Sequence, residues 1–251
     1  MRKLFCIFCL AFFFSSCKKD DPTGPTPVPG DFTIADPHIV LAQDAYGVLH
    51  NSIINFEIEI PGVSDSVSTA VFGKAKAVFF ENPTDSVYAD AGCSLSLGLF
   101  FLAQQPDKSY LFSQGSTDSS MYRSPISWLA DCRAIHKTVV PGDFSSRPVI
   151  TSERIVQRLQ GFTLKNNPIS NADSVIYQLQ TTTKEGTQAI QKTLAGNATA
   201  CNFTYEELIA LHASNTAVVT ISGYKVIGES FSSKKYYITY RQSTSNLILV
   251  Y

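Results

Sequence analysis

The fold is decided near the end of the chain, in AVVTISGYKVIGESF (217–231), KKYYITYRQ (234–242) and NLILVY (246–251). Apolar and polar residues alternate there with the period of two that a β-strand requires. Ser232-Ser233 and Ser243-Thr244-Ser245 separate the three stretches, and short polar connections of this kind are typical of hairpins. The pattern predicts three neighbouring strands of a sheet.

The middle stretch has two different faces. Successive side chains of a strand point in opposite directions, so one face carries Tyr236, Ile238 and Tyr240 and the other carries Tyr237, Thr239 and Arg241. We expect the first face to be core, because sheet-face tyrosines are more often buried than ligand-binding. The second is the better candidate ligand face, through Tyr237 and Arg241, because its residues are polar.

Four earlier stretches show the same alternation. They are 55–60, with Asn55, Glu57 and Glu59 on a wet face; 71–79, with Val71, Ala75, Ala77 and Phe79 together; 93–101, with the odd residues Cys93 to Phe101 together; and 174–179, with Val175, Tyr177 and Leu179 together. One short helix is predicted, because Thr204 and Glu207 are spaced as a capping box.

These patterns predict an all-β protein with two immunoglobulin-like β-sandwich domains, 31–145 and 146–251. The boundary is placed in the turn-rich stretch PGDFSSRP (141–148), and each part is close to the roughly 100 residues of such a domain. The second part holds the short helix. The alternative is one continuous β domain.

Composition limits the partners. Of 251 residues, 44% are hydrophobic and only 16% are charged, and the formal net charge is −1. No cationic surface is therefore expected for binding a nucleic acid.

The first residues predict an export signal. Arg2 and Lys3 precede the apolar run Leu4–Phe14, which is too short to cross a bilayer and has the length of a signal-peptide core. Ser15 and Ser16 then precede Cys17, and this order resembles a bacterial lipobox. The resemblance implies a signal peptide over 1–16 and a Cys17 that carries a diacylglycerol and an N-acyl chain such as palmitate.

A tether is predicted over 17–30. Its DDPTGPTPVPG segment holds four prolines, which favour an extended and semi-rigid spacer. Lys18, Lys19, Asp20 and Asp21 follow the cysteine directly and resemble the export signal of Bacteroidota surface lipoproteins. That resemblance implies lipid anchorage in the outer membrane, facing the cell exterior.

Several motifs of the body resemble a group of poorly characterised Bacteroidota cell-surface lipoproteins. They are GKAKAVFF (73–80), DAGCSLSL (90–97), SPISW (124–128), GFTL (161–164), NADSVIY (171–177), FTYEEL (203–208) and KKYYI (234–238). The resemblance implies a surface β-protein with no assigned activity, so it supplies no catalytic residues.

The chemical motifs of common enzymes are missing from the sequence. It contains no HExxH, no phosphate-binding GxxxxGK[ST] and no GxSxG, and its CxxC, Cys6 to Cys9, lies within the predicted signal peptide. We therefore predict no metal, no cofactor and no enzymatic activity. A hydrolase whose site is assembled by the fold from distant residues is kept as an alternative.

Three cysteines remain after the predicted lipidation site: Cys93, Cys132 and Cys201. Cys93 shares an apolar register, so it is most simply a buried thiol. A Cys93–Cys132 bridge is the alternative, and one disulfide is the most that three cysteines allow.

The tripeptide Asp-Ser-Val occurs three times, with its serine at Ser66, Ser86 and Ser174. It resembles the O-glycosylation sequon of Bacteroidota secretory proteins. The same residues also suit a turn, since Asp and Ser bond to nearby backbone and Val begins a strand. A turn that enters a strand is expected to be exposed.

The sequence thus predicts a surface-anchored, non-enzymatic lipoprotein for binding or adhesion, whose partner is a glycan or a surface protein. The first alternative is a glycan-binding accessory lipoprotein of a polysaccharide uptake system, and the second is the hydrolase.

Overall fold

We describe the fold from a computed structural model, over residues 44–59, 67–116 and 125–251. These residues belong to one compact unit, Leu41–Tyr251. In these three ranges, no helix is long and apolar enough to cross a membrane.

Fifteen strands and one short α-helix make up most of these ranges. In chain order they are β1 (Gly47–Glu59), β2 (Val67–Phe79), β3 (Ser96–Leu97), β4 (Phe100–Phe101), β5 (Ala103–Gln104), β6 (Tyr110–Ser116), β7 (Ile126–Ala130), β8 (Ile135–Val139), β9 (Ile155–Val156), β10 (Phe162–Lys165), β11 (Ser174–Thr183), β12 (Gly186–Ala195), β13 (Ala200–Phe203), α1 (Tyr205–Leu208), β14 (Ser214–Phe231) and β15 (Lys234–Val250). The all-β prediction is confirmed.

One nine-stranded sheet organises the body. Its order is β12-β11-β14-β15-β1-β2-β6-β5, and β9 pairs with the end of β15. β1 runs parallel to β15 and antiparallel to β2. Strands from both sides of the predicted 145/146 boundary therefore pair in one sheet, and the division into two immunoglobulin-like sandwiches is not confirmed.

Two hydrophobic cores lie on the same face of this sheet. The first contains Trp128 from the small sheet β4-β3-β7-β8, and the second contains Phe203 from the small sheet β10-β13. β15 contributes to both, with Tyr236, Ile238 and Tyr240 in the first core and Ile248 and Val250 in the second. The core assignment of Tyr236 and Tyr240 is confirmed, since each is 1% exposed.

The longest strands form a hairpin whose turn agrees with the sequence prediction. Ser232 and Ser233 have φ values of 48° and 67°, and two successive residues in this region are typical of a two-residue hairpin turn. The second expected turn, Ser243–Ser245, is wrong, because β15 continues through it. Ser243 Oγ lies 2.8 Å from Ser222 Oγ, and Ser245 Oγ lies 2.8 Å from Thr220 Oγ1. Within each pair, the two hydroxyls hydrogen-bond to each other, so both can lie inside the sheet.

The stretch 93–101 does not form one strand. Gly98 has a φ of 59°, and the chain reverses there so that Leu97 pairs with Phe100. Leu99 at the tip is 92% exposed and Phe101 is also exposed. Their predicted place beside Leu97 on one core face is therefore wrong.

β2 and β11 follow their predicted alternation, whereas β1 does not. Val71, Ala75, Ala77 and Phe79 are buried together, as are Val175, Tyr177 and Leu179. In β1 the expected wet face is partly core. Asn55 is buried there and its amide donates to the carbonyl of Ser243 at 3.0 Å. A cross-strand backbone partner lets this polar side chain occupy a core position.

The expectation that Cys93 is a buried thiol is wrong, and the alternative disulfide with Cys132 forms. Cys93 and Cys132 are joined by a disulfide with a Cα–Cα distance of 5.8 Å, and Cys201 is a buried free thiol. The bridge ties the segment before β3 to the turn that follows β7.

The predicted capping box is confirmed at the start of α1. Thr204 N donates to Glu207 Oε2 at 2.8 Å and Glu207 N donates to Thr204 Oγ1 at 3.4 Å. The helix ends at Leu208, whose side chain is buried in the second core.

Candidate functional site

Most of the sites predicted near the N-terminus lie outside the described ranges. Cys17, the Lys18–Asp21 segment and Ser66 are among them. Of the other two Asp-Ser-Val serines, Ser86 lies on an exposed loop, whereas Ser174 begins β11 and is 4% exposed. The expectation that each such turn is exposed therefore holds for Ser86 and not for Ser174. O-glycosylation itself stays a prediction.

The predicted ligand face of β15 begins near the start of the strand, where the side-chain contacts are exposed. There the hydroxyl of Tyr237 donates to Asp44 Oδ1 at 2.7 Å, and Lys235 Nζ donates to Asp44 Oδ2 at 2.7 Å. These two bonds hold the pKa of Asp44 below its usual value, and the bond to Asp44 raises the pKa of Lys235 to about 12. Tyr237 thus already bonds to Asp44, and Lys235 Nζ lies 4.9 Å from the centroid of its ring.

The centre of that face is a buried polar network. Thr239 is 2% exposed, and its Oγ1 lies 2.7 Å from Nδ1 of His50. The Nε of Arg241 donates to Ser222 Oγ at 3.0 Å. Tyr237 and Arg241 therefore do not form one open platform. Polar neighbours suggested exposure in the sequence, but the hydroxyls are bonded across strands and can be buried.

His50 is neutral in this network. Burial is the largest cause that lowers its pKa to about 3, and the positive charges of Arg241, Lys74 and Lys76 contribute to the same shift. Its ring stacks near Tyr224, with 6.1 Å between the ring centroids. A buried neutral imidazole among cations is a structural element of the sheet, and we assign it no chemical role.

A groove lies elsewhere, where one hairpin opens. Ile150 bridges Asn166, and Thr151 N donates to the carbonyl of Lys165 at 2.9 Å. Beyond this point the two segments separate, because β9 pairs with β15 whereas β10 pairs with β13. The space between them has a volume of about 510 Å³.

The far end of the groove is closed by a turn. Gln160 N donates to the carbonyl of Gln157 at 3.0 Å. Gly161 follows with a φ of 77°, and a Cβ there would lie 3.2 Å from the carbonyl of Phe203. Only glycine suits this conformation without strain, so Gly161 fixes the entry of the chain into β10.

The lining combines polar side chains with one aromatic ring. It includes Ser152, Glu153, Gln157, Gln160, Phe162 and Lys165. Phe162 is half-buried and packs against the second core. The hydroxyl of Ser152 is buried without a hydrogen-bond partner in the described part of the chain.

None of the site residues predicted from the sequence is among the described residues that line this groove. One signal is present in the sequence, since the first three residues of the GFTL motif (161–164) line the groove. Neither the protein-family models nor the curated proteins compared with the sequence contain a match. In the described ranges, no three metal-binding side chains come together.

Proposed function

We propose that the protein is a non-enzymatic cell-surface lipoprotein that binds an extracellular ligand in the groove between β9 and β10. The observation that carries this proposal is the groove itself, a concave site of about 510 Å³. Sites for small ligands are concave and commonly have about 300–1,000 Å³.

The lining favours binding over hydrolysis. Glycoside hydrolysis generally needs two carboxyl groups that flank the scissile bond. Among the described residues that line the groove, Glu153 is the single carboxylate. Glu153 can accept hydrogen bonds from a ligand, and no second acid in the described lining completes a catalytic pair.

The proposed membrane anchor rests on the sequence pattern around Cys17. In this proposal Cys17 carries the lipid in the outer membrane, 17–30 is the tether and Lys18–Asp21 directs the protein to the cell exterior. The body that follows presents two cores on one sheet. We propose that these cores act as two sandwich-like lobes, and the immunoglobulin-like topology of each lobe stays a prediction.

The anchor is tested with Cys17→Ser in cells fed an alkyne-labelled fatty acid. We expect the wild-type protein to carry the label and sediment with membranes, and the variant to lose both. Label and membrane association that persist in Cys17→Ser would contradict lipidation at this residue.

The orientation is tested separately by replacing Lys18 to Asp21 with alanine. We expect this variant to keep its lipid but to resist protease added to intact cells, which should digest the wild-type protein. Equal digestion of both would contradict the role of this segment in surface export.

A further inference from the structure

We infer that the groove between β9 and β10 binds a compact, neutral sugar unit of an extracellular glycan. This inference rests on the proposed function, because it names the ligand class of the same site. Four features of the groove carry it: its closed ends, its inward-facing backbone, a buried hydroxyl without a partner among the described residues, and its aromatic ring.

The shape suits a ring better than an extended chain. One end is closed by the Thr151–Lys165 hydrogen bond and the other by the Gln157–Gln160 turn. A peptide strand could not run between β9 and β10 past both ends. A single sugar ring does not need to pass either end, so the two closed ends do not exclude it.

Backbone groups of β10 point into the groove. In an antiparallel pair, the residues that bond to the partner alternate with residues whose N–H and C=O point the other way. The carbonyl of Lys165 bonds to Thr151, so Lys165 faces away from β13, and Thr163 has the same orientation two residues earlier. Thr163 therefore presents a backbone donor and acceptor to a ligand.

The side chains add groups that match sugar hydroxyls. The amides of Gln157 and Gln160 both donate and accept hydrogen bonds. Ser152 contributes the buried hydroxyl that has no partner among the described residues. A buried polar atom of this kind requires an explanation, and we assign its missing partner to a ligand hydroxyl in the groove.

The charged side chains and the aromatic ring of the lining narrow the class of ligand. Glu153 and Lys165 bring one charge of each sign to the described lining, so these two charges together favour neither an anion nor a cation. Phe162 provides an aromatic face whose position is fixed by the second core. The apolar face of a pyranose can stack on such a ring while its hydroxyls reach the polar walls.

The test applies the full-length protein in detergent to an array of defined neutral oligosaccharides and measures the affinity of the best ligand by calorimetry. We expect Gln160→Ala to weaken binding by about three- to tenfold, the loss of one to two hydrogen bonds. Gln191→Ala is the matched control, because Gln191 is an exposed glutamine on β12. It should bind as the wild type does.

Ser152→Ala separates recognition from a structural role. Because the hydroxyl has no partner among the described residues, its removal should leave the Tm unchanged or slightly higher while affinity falls severalfold. A lower Tm with unchanged affinity would overturn the role of Ser152 as a ligand contact.

The remaining outcomes distinguish the inference from the proposed function. If no oligosaccharide binds but a peptide or charged ligand does, and Gln160→Ala weakens that binding, the sugar assignment is overturned and the groove remains the binding site. If a sugar binds equally to wild type, Gln160→Ala and Ser152→Ala, the groove is not the binding site. That result would contradict both the sugar assignment and the proposed binding function of the groove.

Discussion

Tyr236, Tyr237 and Tyr240 show how much a single strand position decides. Tyr236 and Tyr240 are buried in the first core, and the Tyr240 ring lies 4.7 Å from that of Phe144 between centroids. Tyr237 points to the other face and bonds to Asp44. The alternation of the strand predicted this opposition, but it could not show that Thr239 is also buried.

The first prediction compares Tyr240→Ala with Tyr237→Phe. Tyr240→Ala should lower the free energy of unfolding by about 3–5 kcal/mol, the range for a large buried aromatic side chain. Tyr237→Phe keeps the ring and removes only the exposed bond to Asp44, so its effect should be much smaller. Denaturant unfolding of both variants measures the difference. Equal losses would contradict the assigned faces of β15.

The second prediction concerns His50 and pH. Its pKa is about 3 in the folded protein, against about 6.5 in an unfolded chain. The unfolded state therefore binds a proton first, so the contribution of His50 is fully present above about pH 6.5 and falls steadily as the pH drops towards 3.

His50→Gln should remove that part of the pH dependence, because glutamine does not titrate in this range. The measurement is the free energy of unfolding of both proteins at several pH values between 7 and 4. The wild type should lose more stability than the variant over this interval. Parallel curves would show that His50 does not carry the effect.

At the scale of elements, the sequence predicted those features that depend on local chemistry. The Ser232-Ser233 turn and the Thr204–Glu207 capping box are local, and both form as expected. The hairpin at Gly98 and the continuity of β15 through Ser243–Ser245 depend on partners far along the chain. The groove also depends on distant partners, because it forms where β9 pairs with β15 and β10 pairs with β13. The sequence alone therefore could not predict it.

The third prediction concerns the Cys93–Cys132 disulfide, which closes a loop over a sequence separation of 39. Cross-linking a loop of this length restricts the unfolded chain and is worth about 2–4 kcal/mol. The double variant Cys93→Ser/Cys132→Ser should lose that much stability under non-reducing conditions. A reductant that lowers wild-type stability but leaves the double variant unchanged would confirm the cause, and one that affects both equally would contradict it.

At the scale of the whole molecule, the body is held together by β14 and β15. β15 lies between β14 and β1, and it supplies residues to both cores. The period-two pattern predicted the strands but not their order, since a single sequence does not show which strands pair with each other. A parallel contact between β1 and β15, almost 190 positions apart, could not be inferred from local turns.

The central structural claim is that this body unfolds as one unit. Each core carries its own probe: Trp128, the single tryptophan, is buried in the first core, and Cys201, a free thiol, is buried in the second. Tryptophan fluorescence and thiol labelling of the Cys201 peptide, followed through the same denaturant titration, report on the two cores independently. We predict coincident transitions with one midpoint, because β14 and β15 cannot leave one core without disrupting the other. Two separate midpoints would contradict the claim and would show two independently folding domains.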